Sequence, residues 1–212
     1  MLINHKHKFI FVHVYKVAGT SVLNALENDT YPDYVPETMR PPLTRFLRKF
    51  HLSPSFPLRV HSKAKEIREK IEPEVYDNYF KFAFVRNPWD WQVSLYEYGR
   101  QYQNHPQRKL MQSFENFDAY IRWRVAQEKT LQKEFVTDNA GELIVDYVGK
   151  FEQLGTDFSD VCDRVGIAVS LPEFNRTRSR KTYTDYYTDE TRQLVQDHFE
   201  EDIEMFDYSF GA

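Results

Sequence analysis

What the chain lacks narrows its identity first. It has a single cysteine, Cys162, among 212 residues, so no intramolecular disulfide can form and a reducing compartment is expected. Cys162 lies between Val161 and Val165 in a helical pattern and reads as a small core residue. No stretch approaches the roughly 20 apolar residues of a membrane span. The apolar run from Phe9 to Val12 is too short for a signal peptide and meets His13 at once. There is no positive excess either: 28 Lys and Arg stand against 32 Asp and Glu, a formal net charge of -4. That balance argues against a nucleic-acid binder, so any anion site must be built locally. His5 and His7 have no companions at metal-ligand spacing and fall in a segment expected to fray, so no metal centre is expected. Internal repeats and low-complexity tracts are absent, and nothing in the pattern sets an oligomeric state. The expectation is one soluble, cytoplasmic domain over residues 1–212.

What is present is a dense aromatic supply, 16% of the chain, within 41% hydrophobic residues. Phe9 to Val14 is nearly continuous and apolar, which predicts a strand buried on both faces. Phe80 to Val85 predicts a second strand and Leu143 to Val148 a third. Helices are expected after Thr20–Ser21, after Ser62 (Ala64, Ile67 and Ile71 inward), and from Asn87–Pro88 as cap and first turn. More are expected after Ser113 (Phe114, Phe117, Ile121, Val125) and over Thr156 to Val165 with Gly166 as its stop. A final helix capped by Thr188 should carry Leu194, Val195, Phe199, Ile203 and Phe206 on one face. Prolines crowd residues 30–60, a long excursion that reads equally as a solvated loop or a substrate-contacting surface. Strands alternating with helices predict an α/β domain with a mainly parallel central sheet flanked by helices in three layers.

Two strand-to-helix junctions carry chemistry. Tyr15-Lys16-Val17-Ala18-Gly19-Thr20-Ser21 follows the first strand and opens a helix. The free N–H groups and dipole of a helix N-terminus favour anions. Gly19 permits close backbone approach, Thr20 and Ser21 add hydroxyls, and Lys16 adds a charge. A phosphate or sulfate ester suits such a cradle. The lysine precedes the single glycine, whereas a nucleotide-hydrolysing P-loop has it after the second. Asp146 is a weak candidate for the magnesium-binding aspartate such an enzyme also needs. At the second junction Arg86 ends a buried strand, at the carboxyl edge where open α/β sheets bind ligands. Ser94 lies two helical turns beyond Asn87 on the same face. A guanidinium fork with a hydroxyl is a receptor for a phosphate monoester, although Arg86 in a structural ion pair is the plainer alternative.

The first segment resembles the 5′-phosphosulfate loop of sulfotransferases, P-K-T-x-x-T-S, in the P-K-V-A-x-T form of the carbohydrate branch; Tyr15 replaces the proline. The second, Val85-Arg86-Asn87-Pro88-Trp89-Asp90, is similar to that family's 3′-phosphate motif, although Trp91 stands where many relatives have arginine. Lys150-Phe151-Glu152 and Asp202 to Tyr208 also resemble that branch. The resemblance implies a P-loop-like fold and PAPS (3′-phosphoadenosine 5′-phosphosulfate) as co-substrate without a metal. It implies that Lys16, Gly19, Thr20 and Ser21 hold the phosphosulfate and that Arg86 and Ser94 hold the 3′-phosphate. The acceptor would be a hydroxyl, on a glycan by the motif variant. His61 is the candidate base, with a local structural role as the competing account; His13 is expected to be structural, and Asp or Glu bases stay open. Arg180 and Lys181, in a basic loop over 175–187, would contact the nucleotide or lie solvated; the G-x-x-G-x-x-K signature is absent. A P-loop-type kinase or a non-catalytic anion-binding module of the same fold remains the alternative.

Overall fold

A computed structural model describes residues 1–29, 58–127, 129–171 and 181–211. Most of the proline-rich excursion and Arg180 fall outside the described residues. The chain forms two compact units, one within Met1–Phe84, Glu134–Gly149 and Gln153–Pro172, the other within Val85–Lys133, Lys150–Glu152 and Glu173–Ala212.

The first unit is organised by a mixed sheet in the order β1-β2-β3-β4, made of Leu2–Asn4, Phe9–Val12, Phe80–Val85 and Tyr147–Lys150. Only the last residues of β3 and β4 belong to the second unit. β2 pairs parallel with β3 from Phe9↔Phe80 to Val12↔Ala83. Both strands therefore deliver their carboxyl ends to the same edge of the sheet. All four β2 residues are fully buried, as their unbroken apolar run predicts. Burying four such side chains is worth on the order of 6–12 kcal/mol before chain entropy is charged against it. Phe11 stacks on Phe82, its partner across the parallel pair, at 5.1 Å and so supports the side-by-side pairing of β2 and β3. The unit's helices are α1 (Gly19–Asp29), α2 (Ala64–Lys70), α3 (Pro73–Asn78) and α7 (Leu154–Val165). Gly166 ends α7 in the left-handed region at φ 68°. Cys162 is buried on α7, and burial pushes its thiol up to about 11.

The second unit holds α4 (Pro88–Gln101), α5 (Arg108–Ser113), α6 (Phe117–Val125), α8 (Asp189–His198) and α9 (Glu200–Met205). Asn87 caps α4 by accepting the Trp89 N–H at 3.1 Å, with Pro88 in the first turn where no N–H is needed.

Five expectations need correction. The N-terminal segment does not fray, because Leu2–Asn4 pairs antiparallel with β2, Leu2 opposite Phe11. Ser62 does not cap α2: its Oγ accepts the Arg59 N–H at 3.0 Å and closes a turn instead. Lys63 takes the cap position, its N–H donating to the Glu66 carboxylate at 3.3 Å. Ser113 ends α5, and Asn116 caps α6 by accepting the Ala119 N–H at 2.9 Å. The fourth strand begins at Tyr147, not Leu143, because the residues ahead of it pair elsewhere: Leu143 bridges antiparallel to Thr137, and the Ile144 N–H donates to the Val136 carbonyl at 2.9 Å. The terminal helix breaks at Phe199, whose ring is buried edge-on against Trp91 at 6.0 Å.

Candidate functional site

In the first unit the loop from β2 to α1 adopts an unusual backbone. Lys16 at φ 64° and Ala18 at φ 61° both occupy the left-handed region without being glycine. Such positions cost about 1–3 kcal/mol each and collect at functional sites. Val17 between them is fully buried and pins the loop to the core. The Ala18 carbonyl accepts the N–H groups of Ser21 at 2.9 Å and Val22 at 3.1 Å, so α1 starts immediately after it. The first-turn N–H groups of Gly19 and Thr20 thus belong to the set a helix leaves without intrahelical partners. Alternating left-handed residues at such a junction also turn successive N–H groups toward one concavity, an anion-binding arrangement. Thr20 is exposed, and Lys16 and Ser21 are half-buried.

Gly19 is not left-handed, and its lack of a side chain serves a neighbour. A Cβ there would lie 1.8 Å from His13 Nε2. His13 follows β2, is buried, and sits on the Gly19 backbone with its ring 4.5 Å from that of His61. Burial holds the His13 imidazole well below its ordinary pKa, and its Nδ1 has no partner among the described residues.

His61 joins this group from the turn ahead of α2. Its Nδ1 lies 2.9 Å from the His13 carbonyl oxygen. A carbonyl can only accept, so Nδ1 carries the hydrogen and the neutral ring keeps its lone pair on Nε2. Burial lowers the His61 pKa and the bond to His13 opposes it in part, leaving the ring neutral at pH 7. Tyr15 meets the same ring edge-on at 5.9 Å. His61 and the Lys16–Ser21 loop are therefore tied together through His13.

In the second unit Arg86 is buried and held at both its side chain and its backbone. Its Nε and Nη2 donate to Asp90 Oδ2 at 2.8 and 2.6 Å, and its guanidinium lies 3.9 Å over the Phe151 ring. The Gln132 side chain accepts the Arg86 N–H at 2.9 Å and donates to the Arg86 carbonyl at 2.7 Å. Asp202 accepts the backbone N–H groups of Gln132 and Lys133, both at 2.8 Å. Glu152 accepts the Asn87 N–H at 2.8 Å and the Tyr208 hydroxyl at 3.0 Å. Ser94 is half-buried on α4. The pairing of Arg86 with Asp90 is the ion pair that the sequence left open. A fork of five N–H donors can serve a carboxylate and a phosphate together. The sequence patterns do not single out Gln132; Glu152 enters them only within Lys150-Phe151-Glu152, and Asp202 only within the C-terminal segment to Tyr208.

Lys181 lines a different cleft of the second unit, about 890 Å³, with Tyr96, Glu97, Arg100, Phe117 and Tyr186. Neither Arg86 nor Ser94 is among its lining residues. Asp146, the weak magnesium candidate, is paired with Lys81 Nζ at 2.9 Å and accepts the Lys81 N–H at 2.7 Å. Among the described residues no group of three or more His, Cys, Asp and Glu is placed to hold a metal ion. Among those residues, too, no helix is long and apolar enough to cross a membrane.

Comparison with known proteins gives three findings. The model of the sulfotransferase family matches residues 1–209. An uncharacterized protein of Archaeoglobus fulgidus is 25% identical over 105 residues, which is 50% of this chain and 82% of that protein. The crystal structure of mouse sulfotransferase SULT7A1 complexed with PAP superposes with a TM-score of 0.57. It is 14% identical and the match covers 95% of this chain and 86% of that one, a likeness of fold.

Proposed function

Since the chain belongs to the sulfotransferase family, we propose that it moves the sulfuryl group of PAPS to a hydroxyl of a carbohydrate acceptor. The observation that carries this is His61, fixed by the His13 carbonyl with Nε2 as its basic atom, beside the strained loop that bears Lys16. PAPS supplies an activated sulfuryl group on a phosphate leaving group. His61 Nε2 takes the proton of the acceptor hydroxyl as its oxygen bonds to sulfur. Lys16 offsets the charge that develops on the phosphate oxygen as its bond to sulfur breaks. The first-turn N–H groups of Gly19 and Thr20, with the Thr20 and Ser21 hydroxyls, hold the 5′-phosphate. Arg86 and Ser94 hold the 3′-phosphate, and Arg180 and Lys181 add positive charge toward the anionic ligands.

The junctions fit this co-substrate chemically: one offers helix-end amides and an ammonium, the other a guanidinium held in place by a carboxylate and an aromatic ring. The carbohydrate acceptor rests on the Lys16-Val17-Ala18 form of the loop. The cytoplasmic location rests on the single, buried cysteine. Thermal unfolding with PAP, ATP, or ATP with Mg²⁺ tests the co-substrate. PAP at a hundredfold its dissociation constant should stabilise by about 2.7 kcal/mol. Stabilisation by ATP with Mg²⁺ and none by PAP would overturn it. Transfer of labelled sulfate from PAPS to a glycan panel then tests the acceptor, and transfer to tyrosine peptides alone would remove the carbohydrate.

A further inference from the structure

We propose that Gln132 is a positioning residue for Arg86, and that the preference for a 3′-phosphate over a bare 3′-hydroxyl is set through it. This rests on the assignment of Arg86 to the 3′-phosphate. Arg86 follows the last residue of β3 and precedes the Asn87 cap of α4, so its own N–H and C=O fall between strand and helix. The fully buried Gln132 side chain satisfies both, at 2.9 and 2.7 Å. One end of a side chain must accept and donate at once, which a primary amide does and a carboxylate or thioether does not. The amide is fixed in turn, because the Gln132 N–H donates to Asp202 at 2.8 Å.

The clamp acts on the backbone from which the guanidinium hangs, and Asp90 and Phe151 fix its other end. Arginine loses much rotamer freedom when it binds a ligand unless its geometry is already set. Gln132 therefore governs how the fork is presented and touches no ligand itself. Gln132→Glu keeps the acceptor for the Arg86 N–H and loses the donor to its carbonyl. Gln132→Met keeps the length and loses both. Asp202→Asn loosens the clamp one bond further out.

The experiment measures dissociation constants by calorimetry for PAP and for AMP, which lacks the 3′-phosphate, with circular dichroism to confirm folding. The wild-type protein should prefer PAP. Gln132→Glu and Gln132→Met should cut that preference about tenfold, through weaker PAP binding with AMP binding kept within about twofold. Should Gln132→Met not fold, Gln132→Glu and Asp202→Asn carry the same comparison. Folded variants that keep the wild-type PAP-to-AMP ratio overturn the role of Gln132, as does equal weakening of both ligands. A wild-type protein that binds PAP and AMP alike overturns the assignment of Arg86 instead.

Discussion

Replacing Gly19 by alanine should destabilise the protein, although the same change at most helix starts does the opposite. Alanine at a helical glycine ordinarily gains about 0.4–1 kcal/mol through the unfolded chain. At Gly19 the new Cβ would lie 1.8 Å from His13 Nε2, 2.0 Å from Cδ2 and 2.7 Å from Cε1. Ordinary contact begins near 3.5 Å, so the ring must retreat by roughly 1.7 Å. It has little room, being 4% exposed and set between Phe11 at 5.6 Å and His61 at 4.5 Å. Overpacking of this kind costs about 1–3 kcal/mol. The net loss should be about 1–2 kcal/mol, a fall in Tm of about 2–8 °C for a chain of this size. Gly155 is the internal control. It lies in the first turn of α7, and a Cβ there would meet nothing within 4 Å. Gly155→Ala should therefore raise Tm by about 1–4 °C. Thermal unfolding followed by circular dichroism reads both. On a His13→Ala background the obstacle is gone, and Gly19→Ala should become neutral or stabilising. A Gly19→Ala protein as stable as wild type, or one whose loss persists without the His13 ring, would refute the reasoning.

Two further outcomes follow from the histidines. His61→Ala should lower kcat by about 10²–10⁴-fold. Because burial holds the His61 pKa below 6.5, wild-type kcat should be flat above that pH and fall below it; an inflection above pH 7, or full activity in the variant, would remove His61 as the base. His13 is buried as the neutral ring, with its folded pKa well below the unfolded 6.5. The unfolded chain then binds more protons in between, so stability is complete above pH 6.5. It is lost as pH falls from there toward the folded pKa, by up to about 1.4 kcal/mol per pH unit. Urea midpoints from pH 5 to 7.5 should show that slope flattened in His13→Ala, and an unchanged slope would contradict it.

The elements legible in the sequence are those whose signal is local. β2 and β3 declare themselves as unbroken apolar runs, and Asn87–Pro88 and Gly166 mark helix ends by their own conformational preferences. β1 is three residues long, too short to show any period. It is a strand because β2 offers an edge for Leu2–Asn4 to pair with. The start of β4 depends on Leu143 and Ile144 pairing with Val136 and Thr137 instead of joining the sheet, which their apolar run does not display. The apolar period of the last helix continues unbroken through Phe199, yet the backbone leaves the helical region there at φ -111° and ψ 20°. A side chain can keep its place in a hydrophobic face while its backbone does not, so periodicity alone could not show the break.

The same division runs through the site. Lys16 and Arg86 stand at strand-to-helix junctions, which a sequence displays directly. Gln132 belongs to no periodic pattern, and its partners lie 46 and 70 positions away, so no window of sequence could pair it with Arg86 and Asp202. Gly19 falls between the two cases. A glycine beside a lysine and two hydroxyl residues signals that something must come close, and the nearest candidate is the ligand. The structure puts the His13 ring there instead. That exchange changes what the glycine is for: it lets a buried histidine sit against the start of α1, and the backbone carbonyl of that same histidine sets the tautomer of His61. In the proposed reaction the missing side chain of Gly19 thus acts through the histidine pair while its N–H stays with the phosphate, which is why Gly19→Ala and His13→Ala must be read together.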